Sequence, residues 1–176
     1  KFRTDLINQL NELEIGSRKQ GRLINGVQSA GNLLRRKEDV FRVLAGHILV
    51  EIDNYVDEFD KDCEFLRAFP KAPSFQSSWF VKMQNQGHLT SHIHETGWLS
   101  GVVYLQIPDN QLDNDGKIQF GIDGDSYPKT DATYPKKILD ISEGDIVLFP
   151  SSVFHQTIPF KSKSERICIA FDISPP

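Results

Sequence analysis

Histidines supply the clearest chemistry in this sequence of 176 residues. His92 and His94 are separated by one residue, so on a strand over Thr90–His94 their imidazoles would project from the same face. Both are neutral near pH 7 and can offer nitrogen lone pairs to one metal ion. A third ligand must come from elsewhere in the fold, and His155, which opens a late predicted strand, is the best candidate.

Arg166 is the next candidate, eleven residues after His155 and at the start of an apolar strand. Because alternate positions of that strand are apolar, we expect its side chain to face the interior, on a strand that neighbours the one carrying His155. Solvation, or pairing with Glu165, is the simpler alternative. An inward guanidinium needs an anion, since an unpaired buried charge is costly, and its fork suits a carboxylate-bearing cosubstrate beside a metal.

The elements that must position these residues divide the chain into two zones. In the first, Leu6, Leu10 and Leu13 predict a short helix, and apolar residues at helical spacing predict a long one over residues 37–60. Between them, residues 16–31 are rich in Gly, Ser, Asn and Gln and predict a loop over a binding face. The second zone predicts eight strands, at Ser78–Gln84, Thr90–His94, Ser100–Ile107, Lys117–Phe120, Lys137–Asp140, Asp145–Phe149, Phe154–Ile158 and Arg166–Ile173.

Strands so short and closely spaced favour a sandwich or barrel, most often a jelly roll, with the helices packed on one outer face. The predicted fold class is therefore α+β, mainly β. The length predicts one domain over residues 1–176, with residues 1–70 as a helical support region and residues 75–176 as the β core.

Composition narrows the functional classes. A net charge of −4 argues against binding to nucleic acid or to an anionic membrane surface. No apolar run approaches the length of about 18 residues that spans a bilayer. The two cysteines, Cys63 and Cys168, form neither a disulfide framework nor a zinc-binding pair. We expect a cytoplasmic protein, with a homodimer as an open alternative, and the start at Lys1 suggests a processed form or a piece of a longer chain.

Several motifs, in order and spacing, resemble one enzyme family. They are His92-Ile93-His94, Leu99–Leu105, Gly116–Phe120, and then Gly144–His155 followed by Pro159 and Arg166. Together they span about residues 75–173. This part of the chain resembles the 2-oxoglutarate- and Fe(II)-dependent oxygenases of bacteria and phages and, more loosely, the prolyl-hydroxylase-like members of that superfamily.

The resemblance implies a double-stranded β-helix that binds Fe(II) at one end of the barrel. The family's usual ligands are a His, a carboxylate two residues later and a distal His, which leave open positions for 2-oxoglutarate and O2. His92 matches the first ligand and His155 the distal one. Arg166 matches the basic residue that binds the far carboxylate of 2-oxoglutarate.

Two positions depart from the family pattern. Position 94 is His where a carboxylate is usual, so either His94 takes that place or the third ligand comes from elsewhere, for instance from Asp123. We favour His94. Cys168 stands where many relatives have a hydroxyl that helps to hold the cosubstrate, and Ser100 or Tyr104 could supply that hydroxyl instead.

Three functions remain in view. The leading one is a dioxygenase that uses Fe(II) and 2-oxoglutarate to hydroxylate an unidentified primary substrate, a small molecule or a protein side chain, while the cosubstrate becomes succinate. The alternatives are a cupin-type three-histidine metal oxygenase without 2-oxoglutarate and a non-catalytic jelly-roll binding module. Arg166 favours the first, and Trp98 and Leu99, near the place of the usual cupin Glu, disfavour the second. Stabilisation by Fe(II) and 2-oxoglutarate would exclude the third.

Overall fold

The fold is taken from a computed structural model, which describes residues 1–59, 62–109, 112–121, 123–124, 126–131 and 133–176. Residue 60, the last of the predicted long helix, lies outside them. The helices are α1 (Phe2–Glu12), α2 (Asp39–Glu58), α3 (Glu64–Arg67) and a 3-10 helix at Leu33–Arg35. The strands are β1 (Ser17–Arg18), β2 (Leu23–Ser29), β3 (Phe75–Leu89), β4 (Leu99–Gln106), β5 (Ile118–Phe120), β6 (Lys137–Leu139), β7 (Ile146–Pro150), β8 (His155–Thr157) and β9 (Arg166–Ile173).

Two antiparallel sheets make up the β core. The larger has six strands in the order β1-β2-β3-β9-β4-β7, and the smaller has three in the order β6-β5-β8. An isolated antiparallel bridge between His92 and His155 joins the segment after β3 to the smaller sheet. The predicted class, α+β and mainly β, is confirmed.

Strand β9 lies at the centre of the larger sheet, and all eight of its residues are buried. Its odd-numbered residues, such as Ile169 and Phe171, belong to a core shared with α2, whose Phe41, Leu44 and Ile48 follow the helical spacing that the sequence predicts. Four strand positions with the opposite orientation face the interior between the sheets: Arg166, Cys168, Ala170 and Asp172. The helices therefore cover one outer face, as predicted, and leave the inner face for chemistry.

A glycine makes this packing possible at one point. A Cβ placed on Gly101 of β4 would lie 2.1 Å from a ring carbon of Phe171. Any larger residue at position 101 would displace that ring from the core beneath α2.

The predicted loop over residues 16–31 is wrong, because this stretch contains β1 and β2, which extend the larger sheet beyond β3. Asn25 has a φ of 48°, and the register shifts between Ile24 and Gly26. This irregularity breaks the alternation of apolar and polar residues by which a strand is recognised. The helical support region thus also contributes two strands.

The predicted strand over Thr90–His94 is also wrong. Strand β3 continues to Leu89. Of residues 90–94, only His92 makes a β-bridge, and its partner is His155. Among the helices that the structure describes, none has the length and apolar character needed to cross a bilayer.

Candidate metal centre

Three histidine side chains converge between the two sheets. The ligand nitrogens of His92, His94 and His155 all lie within 4.8 Å of one another. The ring centroids are 4.4 Å apart for His92 and His155, 5.0 Å for His94 and His155, and 5.3 Å for His92 and His94. His92 and His155 are each 6% exposed. Within the described part of the chain, no second group of His, Cys, Asp and Glu side chains comes together in this way.

Backbone hydrogen bonds position the three residues. His92 and His155 each donate a backbone N–H to the other's carbonyl oxygen at 3.0 Å. The backbone N–H of His94 donates to the carbonyl of Ser151, also at 3.0 Å. His155 is the first residue of β8, as the sequence predicts. These contacts across the sheets, rather than a regular strand, bring His92 and His94 to the same side.

In the rings of His92 and His155, one nitrogen contacts a backbone carbonyl oxygen, and this contact determines the tautomer. Nδ1 of His92 lies 2.7 Å from the Thr90 carbonyl oxygen, and Nδ1 of His155 lies 3.0 Å from that of Val153. Because a carbonyl oxygen only accepts, both Nδ1 atoms carry the proton. Their Nε2 atoms keep the lone pairs, which are the form that binds a metal.

The ring of His94 is held in the same tautomer by a carboxylate. Its Nδ1 lies 2.5 Å from Oδ1 of Asp172, which also accepts a hydrogen bond from the Ser100 hydroxyl at 2.7 Å. The Ser151 hydroxyl lies 2.8 Å from Ser100 and donates to it, and Ser77 donates to the other Asp172 oxygen at 2.8 Å. Such carboxylate–histidine pairs orient a metal ligand and raise its basicity.

Asp172 remains ionised despite being 5% exposed. Burial opposes its ionisation, but the hydrogen bond and electrostatic attraction of the His94 ring, with hydrogen bonds from Ser100 and Ser77, outweigh burial and hold the pKa of this carboxyl below its usual range. Sequence reasoning missed Asp172. The sequence did contain a signal: Asp172 is a lone carboxylate on an apolar strand, at an even spacing from Arg166 that places both side chains on the same face.

The third ring is also held neutral. Burial, followed by the nearby His92 and His94, lowers the pKa of His155 from 6.5 to about 3. Three imidazoles whose ligand nitrogens lie within 4.8 Å of one another form a donor set that iron accepts. The residues therefore fit a metal ion without any carboxylate in direct contact.

Arg166 is 2% exposed, so it faces the interior as predicted. Its Nε donates to the Gly116 carbonyl at 2.9 Å, Nη1 lies 3.3 Å from the Cys168 sulfur, and its guanidinium lies over the Tyr104 ring at 5.1 Å. None of the ion pairs between described residues includes Arg166. Its buried charge thus has no described carboxylate opposite it.

The predicted neighbour of the Arg166 strand is wrong. Strand β9 lies between β3 and β4, whereas β8, which carries His155, pairs with β5 in the other sheet. Arg166 and His155 instead line one cavity of about 340 Å³ from opposite sheets. The two sheets face each other across this cavity, and this arrangement, not strand adjacency, brings Arg166 and His155 to the same space.

The two candidate hydroxyls differ in position. Tyr104 lines the cavity, is 0% exposed, and its hydroxyl has no hydrogen-bond partner among the described residues. Burial, opposed by the charge of Arg166, raises the pKa of Tyr104 and keeps it a hydrogen-bond donor. Ser100 lies behind His94 and is not part of the cavity lining.

Asp123, the other candidate ligand from the sequence, and the two histidines outside the cluster lie apart from it. Asp123 is exposed and pairs with Lys129 at 2.8 Å, which leaves the idea of an outside carboxylate ligand without support. Nδ1 of His88 contacts the Gln86 carbonyl at 2.9 Å, and His47 packs on Phe2 at the N-terminal helix.

Comparison with known families gives a match over most of the β core. The model of the family described as "Putative 2OG-Fe(II) oxygenase" matches residues 77–172, more than half of the chain. The match begins in β3 and ends at Asp172, so it includes every residue of the histidine cluster. No curated protein matches the sequence significantly.

Solved structures show the same architecture. The chain is similar to HygX from Streptomyces hygroscopicus, solved with nickel, 2-oxoglutarate and hygromycin B, at a TM-score of 0.66 and 14% identity over 99% of this chain and 78% of that one. It is also similar to a Pseudomonas putida prolyl-4-hydroxylase, at a TM-score of 0.65 and 13% identity over 99% of this chain and 84% of that one.

A viral collagen prolyl hydroxylase from Paramecium Bursaria Chlorella virus-1, in complex with 2OG, is similar at a TM-score of 0.60 and 14% identity, over 99% of this chain and 90% of that one. At such identities the likeness concerns the fold. The predicted double-stranded β-helix is confirmed.

Proposed function

Because the chain belongs to the 2-oxoglutarate- and Fe(II)-dependent oxygenase family, we propose that His92, His94 and His155 hold its iron and that Arg166 and Tyr104 hold its 2-oxoglutarate. Membership makes the protein an enzyme that depends on both cofactors. With them bound, O2 supplies one oxygen atom to 2-oxoglutarate, giving succinate and CO2, and the other to a C–H bond of the primary substrate, giving an alcohol.

One observation carries the assignment of the cosubstrate site. Arg166 is a buried cation without a described carboxylate partner, and it lines the same cavity as the three histidines. A buried charge is tolerated when an opposite charge and hydrogen bonds satisfy it. The far carboxylate of 2-oxoglutarate would satisfy Arg166, and the same carboxylate would accept a hydrogen bond from the Tyr104 hydroxyl.

The histidine end of the cavity complements that arrangement. Three neutral ligands leave a divalent ion with its full positive charge, whereas a ligating carboxylate would reduce it. A dianionic cosubstrate suits such a centre. Asp172 contributes negative charge only through His94, and so it orients the ring without occupying a coordination position.

The cavity walls support an oxidation that must exclude competing reactions with water. Val81, Val102 and Ile118 line the space between Arg166 and the histidines, and Trp79 lies 5.6 Å from the His94 ring. Apolar walls of this kind limit access of water to the reacting centre.

Succinate production tests the proposal. The purified protein with Fe(II), O2 and 2-oxoglutarate should release succinate slowly alone and faster with a suitable primary substrate. At a 2-oxoglutarate concentration near the wild-type dissociation constant, Arg166→Leu should strongly reduce the release and His155→Ala should abolish it. Wild-type rates in either variant would refute the assignment of that residue.

We also propose that the enzyme acts in the cytoplasm on a small molecule or a protein side chain rather than on nucleic acid. The net charge of −4 supports this choice, because nucleic-acid binding depends on positive surfaces. Light scattering of the purified protein tests the alternative of a homodimer: a mass of twice 20.0 kDa would establish it.

A further inference from the structure

The cavity has a side that the cofactor assignment does not use, formed by β1 and β2. Arg18 of β1 pairs with Gln28 of β2, and Gln28 pairs with Val81 of β3. Val81 pairs with Cys168, which pairs with Tyr104. Directly paired residues point to the same face of a sheet, and all five line the cavity. This row therefore connects the wall beside Arg166 with the β1–β2 hairpin.

Gln28 is a polar side chain of the cavity wall without a hydrogen-bond partner among the described residues. It is 8% exposed, it lines the cavity, and its side-chain amide makes no hydrogen bond with any described residue. Its amide atoms are open to the cavity, since they are not among the fully occluded polar atoms without a partner. A bound molecule that reaches β2 could therefore hydrogen-bond to this amide without breaking any contact within the described part of the protein.

The charge around this side of the cavity is positive. Arg18 and Arg166 line the cavity together with one acid, Asp172. Both oxygens of Asp172 already accept hydrogen bonds within the protein. The whole chain, by contrast, has a net charge of −4, so the positive cavity is a local feature of the fold. Clefts lined by one sign of charge concentrate ligands of the opposite sign.

We propose that the primary substrate is a small molecule with a carboxylate or phosphate group, which Arg18 binds while Gln28 hydrogen-bonds to the same end of the molecule. The inference rests on the proposed function, because it places the reacting C–H bond between the hairpin and the three histidines. Strand β1 lies three strands from β9, about 14 Å between backbones at the usual spacing. The substrate is therefore a metabolite that spans part of this distance, with its anionic group away from the metal.

The main competing interpretation is that Arg18 serves the other anion of the reaction, 2-oxoglutarate, and not the primary substrate. If Arg18 only attracts or holds the cosubstrate, added anions should compete with 2-oxoglutarate. If Arg18 binds the primary substrate, an anion and 2-oxoglutarate should bind together.

Nuclear magnetic resonance of the protein loaded with diamagnetic Zn(II) and 2-oxoglutarate separates these cases. Inorganic phosphate and acetate serve as probes at constant ionic strength. At least one of them should shift the side-chain amide signals of Gln28 and the guanidinium signal of Arg18 saturably, without releasing 2-oxoglutarate.

The variants Arg18→Gln and Gln28→Leu should each weaken probe binding about fivefold or more while the affinity for 2-oxoglutarate is unchanged. Arg35→Gln removes an exposed arginine outside the cavity and is the matched control, for which probe binding should equal that of the wild type.

Three results would overturn the inference: no saturable shift with either probe, equal binding in Arg18→Gln, or displacement of 2-oxoglutarate by the probe. Failure of the proposed function has a different signature, since the histidine signals would then not respond to Zn(II). The probe titration reports on Arg18 and Gln28 in either case.

Discussion

Replacing Arg166 by Leu removes the charge that the cosubstrate would neutralise and keeps a side chain that fits an apolar wall. Hydrogen bonds to charged groups contribute about 1.5–3 kcal/mol, so the dissociation constant of 2-oxoglutarate should rise by about 10- to 150-fold. Fe(II) affinity should change little, because the contacts of Arg166 go to Gly116, Cys168 and Tyr104 and not to any of the three histidines. Arg166→Lys should be intermediate, since it keeps the charge but loses the fork.

Two measurements give the loss of 2-oxoglutarate affinity in Arg166→Leu. The first is titration of the oxygen-free, Fe(II)-loaded protein with 2-oxoglutarate, followed by the visible absorption of the chelate. The second is unfolding: at 100 times the wild-type dissociation constant, the ligand should stabilise the wild type by about 2.7 kcal/mol and a variant with tenfold weaker binding by about 1.4 kcal/mol.

Arg35→Leu, at an exposed position outside the cavity, is the control and should behave as the wild type. An unchanged dissociation constant in Arg166→Leu would refute the reasoning, because a buried cation would then have no role toward the cosubstrate.

The remaining predictions concern the metal end of the cavity. His92→Ala and His155→Ala should each abolish stoichiometric Fe(II) binding, measured by iron analysis after desalting, and retention of iron in both would contradict the site. His94→Ala should weaken iron binding strongly, whereas His94→Asp should retain it, since a carboxylate is the family's usual ligand there. Asp172→Asn keeps an acceptor for the His94 ring but removes the charge, so Fe(II) affinity by competition with a chelator should fall about 10-fold; wild-type affinity would show that Asp172 does not act on the metal. In the metal-free protein, the free energy of unfolding should fall as the pH is lowered from 6.5 toward 3, because unfolded His155 takes up a proton that its folded form, with its pKa of about 3, does not. Urea unfolding should show a slope of at most about 1.4 kcal/mol per pH unit from this group, and a shallower dependence in His155→Gln; equal slopes would contradict the account.

The regular parts of the fold could be predicted because their patterns are local. The apolar spacing of α2 and the β-branched run of β9 depend on neighbours in sequence, and the structure has both where the sequence indicates them. Strands β1 and β2 could not be recognised, since β2 is held by pairing with β3, β1 by pairing with β2, and the positive φ of Asn25 interrupts the alternation of β2. Tertiary pairing decided the structure there, against local composition.

The candidate site likewise contains residues that the sequence could identify and residues that it could not. The spacing of His92 and His94 and the position of His155 before a strand were visible in sequence, and the three rings do meet. Asp172 and Gln28 were not recognised, because an isolated acid or amide carries no motif. The importance of Asp172 depends on His94, 78 residues away, and that of Gln28 depends on its place in the cavity wall. Only the register of β9 and β2 reveals which cavity they face.

We propose that three histidines hold the metal and that Asp172, the one acid lining the cavity among the described residues, contacts one of their rings and not the ion. A crystal structure of the protein loaded with Fe(II) and 2-oxoglutarate without oxygen, with the metal located by its anomalous scattering, tests this arrangement. We expect one iron in contact with Nε2 of His92, His94 and His155, with Asp172 still bound to Nδ1 of His94. An iron coordinated by Asp172 in place of His94, or located outside this cluster, would contradict it.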